Sequence, residues 1–380
     1  KKPKRKTSQN QVSPLPKIRN SPPKNPQLKF RMSEEQISSA ALWIDRFVGE
    51  GLKKAGLAPN PPADDFVFLR RIYLDAAGRI PTDDESADFL SDKDPEKRRK
   101  LIDRLLLSDG YRSHFFNWLA DLLRHKQNVR RTSYNHYERW LKDQIALNRP
   151  WDEMVFDMLS AEGSVAQSGP AGYLLRDPGM PLDNLSNTLT IFLGANVACA
   201  QCHDHPLADW TQREYFELAA FFGATDVSDR DPRKVGNKLR NGQLSKQDVI
   251  QAVAPNLARV RTKSHQTLRF PDDYAYDDVK PGSRVEPLLF IWESGDEKGP
   301  AYAVDHQNPK NLRASFAQWL THEKNPRFAA TIANRLWQRS FGLGVQEPLE
   351  DLDDLSKSAN PALLQLLGQV MVKAGFDLRE

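Results

Sequence analysis

The sequence has 380 residues, of which 39% are hydrophobic, and it carries 54 Lys and Arg against 50 Asp and Glu. This length is enough for two or three domains, and no uninterrupted apolar stretch approaches the roughly 20 residues that span a bilayer. Residues 1–31 hold ten of the basic residues and no acidic one, so the rest of the chain is net acidic. A net acidic body argues against nucleic-acid binding, which needs a basic folded surface.

The N-terminal residues differ in composition from the helices that follow. Residues 1–31 are rich in Pro, Lys, Ser and Asn, which predicts an extended or disordered basic arm. Capping-box patterns at Ser33 and Thr82 each precede apolar residues at helical spacing. The same spacing predicts further helices over 65–76, 110–126, 134–147 and 151–160.

The second half of the chain continues with helices and one irregular stretch. Residues 183–200 have a helical apolar face that leads into the two cysteines, and a capping box at Thr211 opens another helix. Residues 226–305 are punctuated by Gly and Pro and partly alternate apolar with polar side chains, which predicts a small β-containing insertion. Helical spacing resumes over 311–320, 326–340 and 361–374. Because this last pattern runs almost to Glu380, we leave open a longer native protein.

These patterns predict a mainly α-helical fold with a small β-containing insertion and an extended N-terminal arm. The predicted organisation is a basic arm at 1–31, a helical domain at 32–225 that carries the cysteines, an irregular or β insertion at 226–305, and a further helical region at 306–380.

The two cysteines of the chain form the most informative motif. Cys199 and Cys202 lie three positions apart, and His203 follows directly. This spacing lets two thiols reach the vinyl groups of one haem while the imidazole coordinates its iron from the same side. Two cysteines this close exclude the disulfide framework of small secreted domains. The motif therefore predicts one covalently attached haem c and a role as an electron-transfer protein or as a haem-bearing enzyme subunit.

Three other interpretations of the motif remain open. The two cysteines with His203 and His205 could bind a structural zinc ion, although such sites usually use two well-separated ligand pairs. Alternatively, His203 and His205 with Asp204 or Asp209 could hold a divalent metal whose open position activates water in an enzyme. The cysteines could also be a redox pair at a helix end, without the preceding strand that a thioredoxin-like setting provides.

If haem is bound, the sixth coordination position of its iron decides whether the site transfers electrons or is open to a substrate. Met180 lies in the loop 177–181 before the cysteine-bearing segment, and a methionine ligand would raise the reduction potential. A second imidazole is the alternative, with His125, His136, His265 and His306 as candidates. His205 is too near His203 in sequence to reach the opposite haem face, so we expect it to orient His203 or bond a propionate.

Several stretches around these residues resemble one family. Residues 68–75 read FLRRIYLD, residues 78–82 read GRIPT, and residues 199–215 read CAQCHDHPLADWTQREY. They resemble the planctomycete cytochrome c domain, type 2, a family of unknown function. The similarity extends beyond the cysteines to Pro206 and Trp210, although members commonly carry Phe where this chain has Leu207.

A second resemblance follows toward the C-terminus. Residues 325–328 read NPRF, residues 334–337 read NRLW, and Phe341 precedes a glycine. These residues resemble the start of a companion planctomycete-specific domain. Residues 271–282 are similar to the segment that connects the two domains.

The resemblance implies a protein outside the cytoplasmic membrane, which suits haem attachment after export. We therefore predict an exported c-type cytochrome-like subunit in the periplasm or another extracytoplasmic space, without a transmembrane segment of its own. Its expected partner is a redox protein or a larger membrane-associated complex, and the basic arm could dock on an acidic surface of that partner. The alternatives are a metal-dependent enzyme and a structural subunit of a cell-surface or respiratory assembly.

Overall fold

A computed structural model describes residues 32–129, 132–228, 240–243, 245, 259–263, 265–290, 300–305, 308 and 311–380. The predicted basic arm and His306 lie outside these residues, as does much of the predicted insertion. The described residues are mainly helical with little strand, which confirms the predicted fold class.

Several helices of the first half begin at a residue whose side chain caps them. Ser33 and Thr82 both form the predicted capping boxes, and Ser108 accepts a hydrogen bond from the backbone N–H of Tyr111. The helices are α1 (Glu34–Lys54), α2 (Asp65–Ala77), α3 (Asp83–Ser91), α4 (Lys97–Leu106), α5 (Asp109–Leu122), α6 (Asn135–Ala146) and α7 (Trp151–Ser160).

One helix of the second half is shorter than its sequence pattern. The prediction of a helix over 183–200 is wrong at its C-terminal end, because Gly194 adopts a left-handed conformation with φ of 57° and stops the helix. A Cβ atom at this position would also lie 2.6 Å from Cδ1 of Leu352. The helices are α8 (Pro181–Leu193), α9 (Gln212–Ala219), α10 (Leu312–Leu320), α11 (Pro326–Phe341) and α12 (Pro361–Lys373).

The strands are short and antiparallel. The strand β1 (Asn128–Val129) pairs with β2 (Thr132–Ser133). The central strand of a second sheet is β5 (Arg259–Thr262), which pairs with β3 (Gly163–Ser164) on one side and with β4 (Thr225–Ser228) on the other. The strand β4 crosses the N-terminal boundary of the predicted insertion, and β5 lies within it. The insertion therefore contains β-structure.

Buried apolar side chains of the described residues form one large cluster and one small one. The large cluster runs from Tyr111 to Phe376 and includes the fully buried rings of Trp151 and Trp319. It joins α10 to α7 and α11 to α8, so the C-terminal helices pack directly on the helices before the cysteines. The small cluster joins α2, α3 and α4. Among the described residues, no helix combines the length and apolar character needed to cross a membrane.

The segment GRIPT forms the turn between α2 and α3. Arg79 contacts Glu85 through two guanidinium nitrogens, each 2.7 Å from a carboxylate oxygen. Thr82 donates its backbone N–H to the same carboxylate at 2.8 Å, which completes the capping box. The hydrogen bonds from Arg79 lower the pKa of Glu85 to about 2. This family-like segment therefore has a structural role in joining two helices.

Replacing Glu85 by Gln is expected to lower the free energy of unfolding by about 1 kcal/mol near neutral pH, since partly exposed ion pairs contribute little. Glutamine can still cap the helix, so the variant isolates the charge. Because the folded-state pKa lies below the ordinary value of 4.5, the stabilisation is present above that pH and is lost as the pH falls toward 2. Urea unfolding at both ends of this range measures it, and an equal effect of E85Q at both would contradict the ion-pair explanation.

Candidate functional site

A single turn of 3-10 helix after α8 contains Cys199 and is followed directly by Cys202. This turn spans Ala198–Gln201, and the backbone N–H groups of Cys202 and His203 both donate to the carbonyl oxygen of Cys199, at 3.1 and 3.3 Å. Ala200 lies between the cysteines and is completely buried, so it anchors the turn in the core. The cysteines on either side are exposed, and both are free thiols. The short turn therefore presents both sulfur atoms to solvent.

His203 is held by one hydrogen bond that defines its tautomer. Its Nδ1 atom lies 2.7 Å from the backbone oxygen of Asp204. A carbonyl oxygen can only accept, so Nδ1 carries the proton and Nε2 of the neutral ring has a free lone pair. Histidines that bind metals usually donate their other ring N–H in this way. Because His203 is also exposed, its Nε2 atom is available as a ligand.

His205 has the opposite arrangement. Its Nδ1 atom accepts a hydrogen bond from the backbone N–H of Leu207 at 3.2 Å, so the proton of the neutral ring is on Nε2. The backbone N–H of His205 donates to the carbonyl oxygen of Trp210 at 2.7 Å, which closes the turn 205–210. His205 therefore shapes the loop and has no free lone pair in this conformation, whereas Leu207 is 89% exposed and packs on little.

Asp204 connects the cysteine turn to two neighbouring segments. Its carboxylate accepts the backbone N–H of Gln212 at 2.8 Å, at the start of α9. Its own backbone N–H donates to the hydroxyl of Tyr276 at 2.7 Å. The buried side chain of Gln212 adds a hydrogen bond from Ala275, so the turn is held between α9 and the segment 274–278.

Tyr215 links α9 to the start of α8, next to Met180. Its hydroxyl donates to the carbonyl oxygen of Leu182 at 2.8 Å and contacts Ser186 at 3.0 Å. Burial raises the pKa of Tyr215 and outweighs the lowering caused by its hydrogen bond with Ser186, so the phenol stays protonated. Met180 is half exposed at the N-terminus of α8. Its role as sixth haem ligand stays a prediction.

The other candidate histidines have different surroundings. His125 packs among the rings of Phe116, Tyr134 and Tyr137 at centroid distances of 5.8 to 6.3 Å. Burial lowers its pKa, so it is neutral near pH 7. This setting is that of a core histidine. His265 is exposed and His136 is partly exposed on α6.

Within the described part of the chain, the side chains that the two metal alternatives require are not brought together. No three His, Cys, Asp or Glu side chains come together there in a group that could hold a metal ion. One oxygen of Asp204 and Nδ1 of His205 already accept backbone hydrogen bonds. By contrast, haem attachment needs only two accessible thiols and one free imidazole nitrogen on the same turn. The residues present fit that group.

Fold and site together define a helical protein with an exposed Cys-x-x-Cys-His turn on its surface. Residues 43–227 match the family PSCyt2, described as a protein of unknown function (DUF1549). Residues 312–380 match PSD1, also described as a protein of unknown function (DUF1553). The chain therefore carries a PSCyt2 region followed by a PSD1 region, which confirms both resemblances in their predicted order. No curated protein and no solved structure matches the chain.

The asparagine of the NRLW segment in the PSD1 region has a structural role. Asn334 is completely buried on α11. Its Oδ1 atom accepts the backbone N–H groups of Val345 and Gln346 at 2.7 and 3.1 Å, and its Nδ2 atom donates to the carbonyl oxygen of Gln346 at 2.8 Å. One side chain thus satisfies three backbone groups that would otherwise be buried without partners.

Replacing Asn334 by Ala is expected to lower the free energy of unfolding by about 3 to 5 kcal/mol, because it leaves several buried backbone groups unpaired at about 1 to 3 kcal/mol each. Ser340→Ala is the matched control, since Ser340 is exposed on the same helix. It should change stability by less than about 0.5 kcal/mol. Urea unfolding of the three proteins measures both effects, and equal stabilities for the two variants would refute this role of Asn334.

Proposed function

We propose that this protein is an exported, c-type cytochrome-like subunit that transfers electrons through one haem attached to Cys199 and Cys202, with His203 as the proximal ligand. One observation carries the proposal. A single surface turn presents two free thiols and an imidazole whose Nε2 lone pair is unused. The name PSCyt2 agrees with a cytochrome-like domain, although its description assigns no function.

The attachment chemistry balances without any further reactant. Each thiol would add across one vinyl double bond, so that a C–S bond would form, the thiol hydrogen would move to the adjacent carbon, and nothing would leave. Once bound, haem supplies reversible one-electron chemistry. The chain would hold such a haem through the two sulfur atoms of one turn and through Nε2 of His203, which the hydrogen bond from Nδ1 leaves free.

The hydrogen bond from His203 to the carbonyl oxygen of Asp204 has two consequences for the ligand. It fixes the rotation of the ring, and it raises the electron-donating strength of Nε2. Asp204 is itself held by hydrogen bonds with Gln212 and Tyr276. The carbonyl group that orients His203 is therefore also held in place.

Export follows from the proposed chemistry, since c-type haem is attached after translocation. We therefore propose an extracytoplasmic location and a redox partner or membrane-associated complex as the electron acceptor or donor. The exposed turn suits this role, because a partner can approach the site without rearrangement of the fold.

Production of the chain in a periplasm that contains the haem-attachment machinery tests the proposal. We expect a red protein with the sharp visible band of reduced c-type haem, and the colour should remain on the polypeptide after extraction with acidified acetone. A colourless protein with one zinc ion per chain would support the metal alternative. A colourless, metal-free protein would support a structural subunit, and either result would overturn the cytochrome proposal.

A further inference from the structure

Residues of the PSD1 region reach the end of the cysteine-bearing loop. Oδ1 of Asp353 accepts a hydrogen bond from Nε1 of Trp210 at 3.1 Å. The same oxygen lies 2.7 Å from Nη2 of Arg327, and the two charged side chains are only 24% and 20% exposed. The indole ring also packs edge-on against Phe290, with centroids 5.3 Å apart.

The same arginine holds the beginning of that loop. Its Nε and Nη2 atoms donate to the carbonyl oxygens of Leu193 and Gly194 at 3.0 and 3.2 Å. These carbonyls belong to the C-terminus of α8, where they lack partners within the helix. The backbone N–H of Leu352, next to Asp353, also donates to Gly194 at 2.7 Å. The Arg327–Asp353 pair therefore joins both ends of the segment 194–210.

A short path of hydrogen bonds leads from this pair to the proposed haem ligand. The carbonyl oxygen of Trp210 accepts the backbone N–H of His205 at 2.7 Å, and the preceding residue, Asp204, supplies the carbonyl that orients His203. A displacement of Trp210 would therefore move the residues that set the orientation of the imidazole.

We propose that Arg327, Asp353 and Trp210 are positioning residues through which the PSD1 region fixes the geometry of the Cys-x-x-Cys-His turn. The redox consequence rests on the proposed function. The positioning itself does not, since every contact described is made by the chain alone. The two charged side chains are partly buried, so separating them would leave each charge without its partner at a cost in free energy. The charge-assisted hydrogen bonds between them and to the backbone therefore hold the connection in a defined geometry.

Two variants test the proposal. Trp210→Phe keeps a ring against Phe290 but removes the N–H group that Asp353 accepts. Asp353→Asn keeps the shape of the side chain and removes its charge. Glu350→Gln is the control, because it removes one negative charge from an exposed residue nearby. If one of the two test variants does not fold, the other still tests the proposal.

The first measurement is hydrogen–deuterium exchange of residues 195–210 in the haem-free protein. We expect exchange about tenfold faster in W210F and D353N, as for loss of a hydrogen bond to a charged group, and unchanged exchange in E350Q. Wild-type exchange rates in both variants would overturn the positioning role. This outcome is independent of whether haem binds.

The second measurement is the midpoint reduction potential of the haem-loaded proteins. We expect it to shift in W210F and D353N and to stay at the wild-type value in E350Q. Faster exchange with an unchanged potential would overturn the redox consequence for His203, whereas the positioning of the turn by the PSD1 region would stand. Failure to load haem in the wild type would instead contradict the proposed function, and the exchange experiment would still decide the positioning role.

Discussion

Replacing Cys199 and Cys202 together by serine is expected to abolish covalent haem attachment, from one haem per chain to none. A serine hydroxyl is a far weaker nucleophile than a thiol and does not form the corresponding bond with a vinyl group. The chain has no other cysteine that could substitute. Because both side chains are exposed, the loss should come without unfolding.

A haem-specific stain of the denatured polypeptide, compared with total protein, measures this loss. Leu207→Ser is the matched control, since it introduces serine into the same loop at a position that is 89% exposed. It should carry haem like the wild type. Haem that remains attached to the double cysteine variant would show that the attachment is elsewhere or not covalent, and would contradict the proposal.

The variants His203→Ala and His205→Ala are expected to differ strongly. His203 has its Nε2 lone pair free, whereas Nδ1 of His205 accepts a hydrogen bond from Leu207. H203A should therefore lose the proximal ligand and show a changed visible spectrum with greatly reduced haem content. H205A should lose one hydrogen bond of the loop and keep the spectrum of the wild type.

Visible spectra of the two variants in the oxidised and reduced states distinguish these outcomes. The cysteines are unchanged in both proteins, so any difference reports on ligation. A normal spectrum in H203A together with a changed one in H205A would reverse the assignment of the two imidazoles. It would also show that the hydrogen bond to Asp204 does not select the ligand.

Most of the helices can be predicted from the sequence because their signals are local. The capping boxes at Ser33, Thr82 and Thr211 each begin a helix in the structure. The Cys-x-x-Cys-His motif is equally local, and its exposure follows once Ala200 is anchored in the core. The two family regions were also predictable, since their motifs are contiguous in sequence.

The remaining features depend on residues far apart in the sequence. The early end of α8 involves Leu352, whose side chain leaves no room for a Cβ atom at residue 194. The connection of Trp210 to Asp353 spans more than a hundred residues. The tautomers of His203 and His205 depend on backbone groups of a turn that the sequence pattern does not specify. Nothing in the sequence singles out Tyr215 or Tyr276 as supports of the site. These contacts require the assembled fold.

The mass of the intact polypeptide, produced with the haem-attachment machinery and measured under denaturing conditions, tests the central claim most directly. Since thiol addition to vinyl groups releases nothing, one haem should raise the mass by roughly 616 Da above that of the polypeptide. A mass equal to that of the bare chain, with both thiols still open to alkylation, would contradict covalent haem attachment at Cys199 and Cys202.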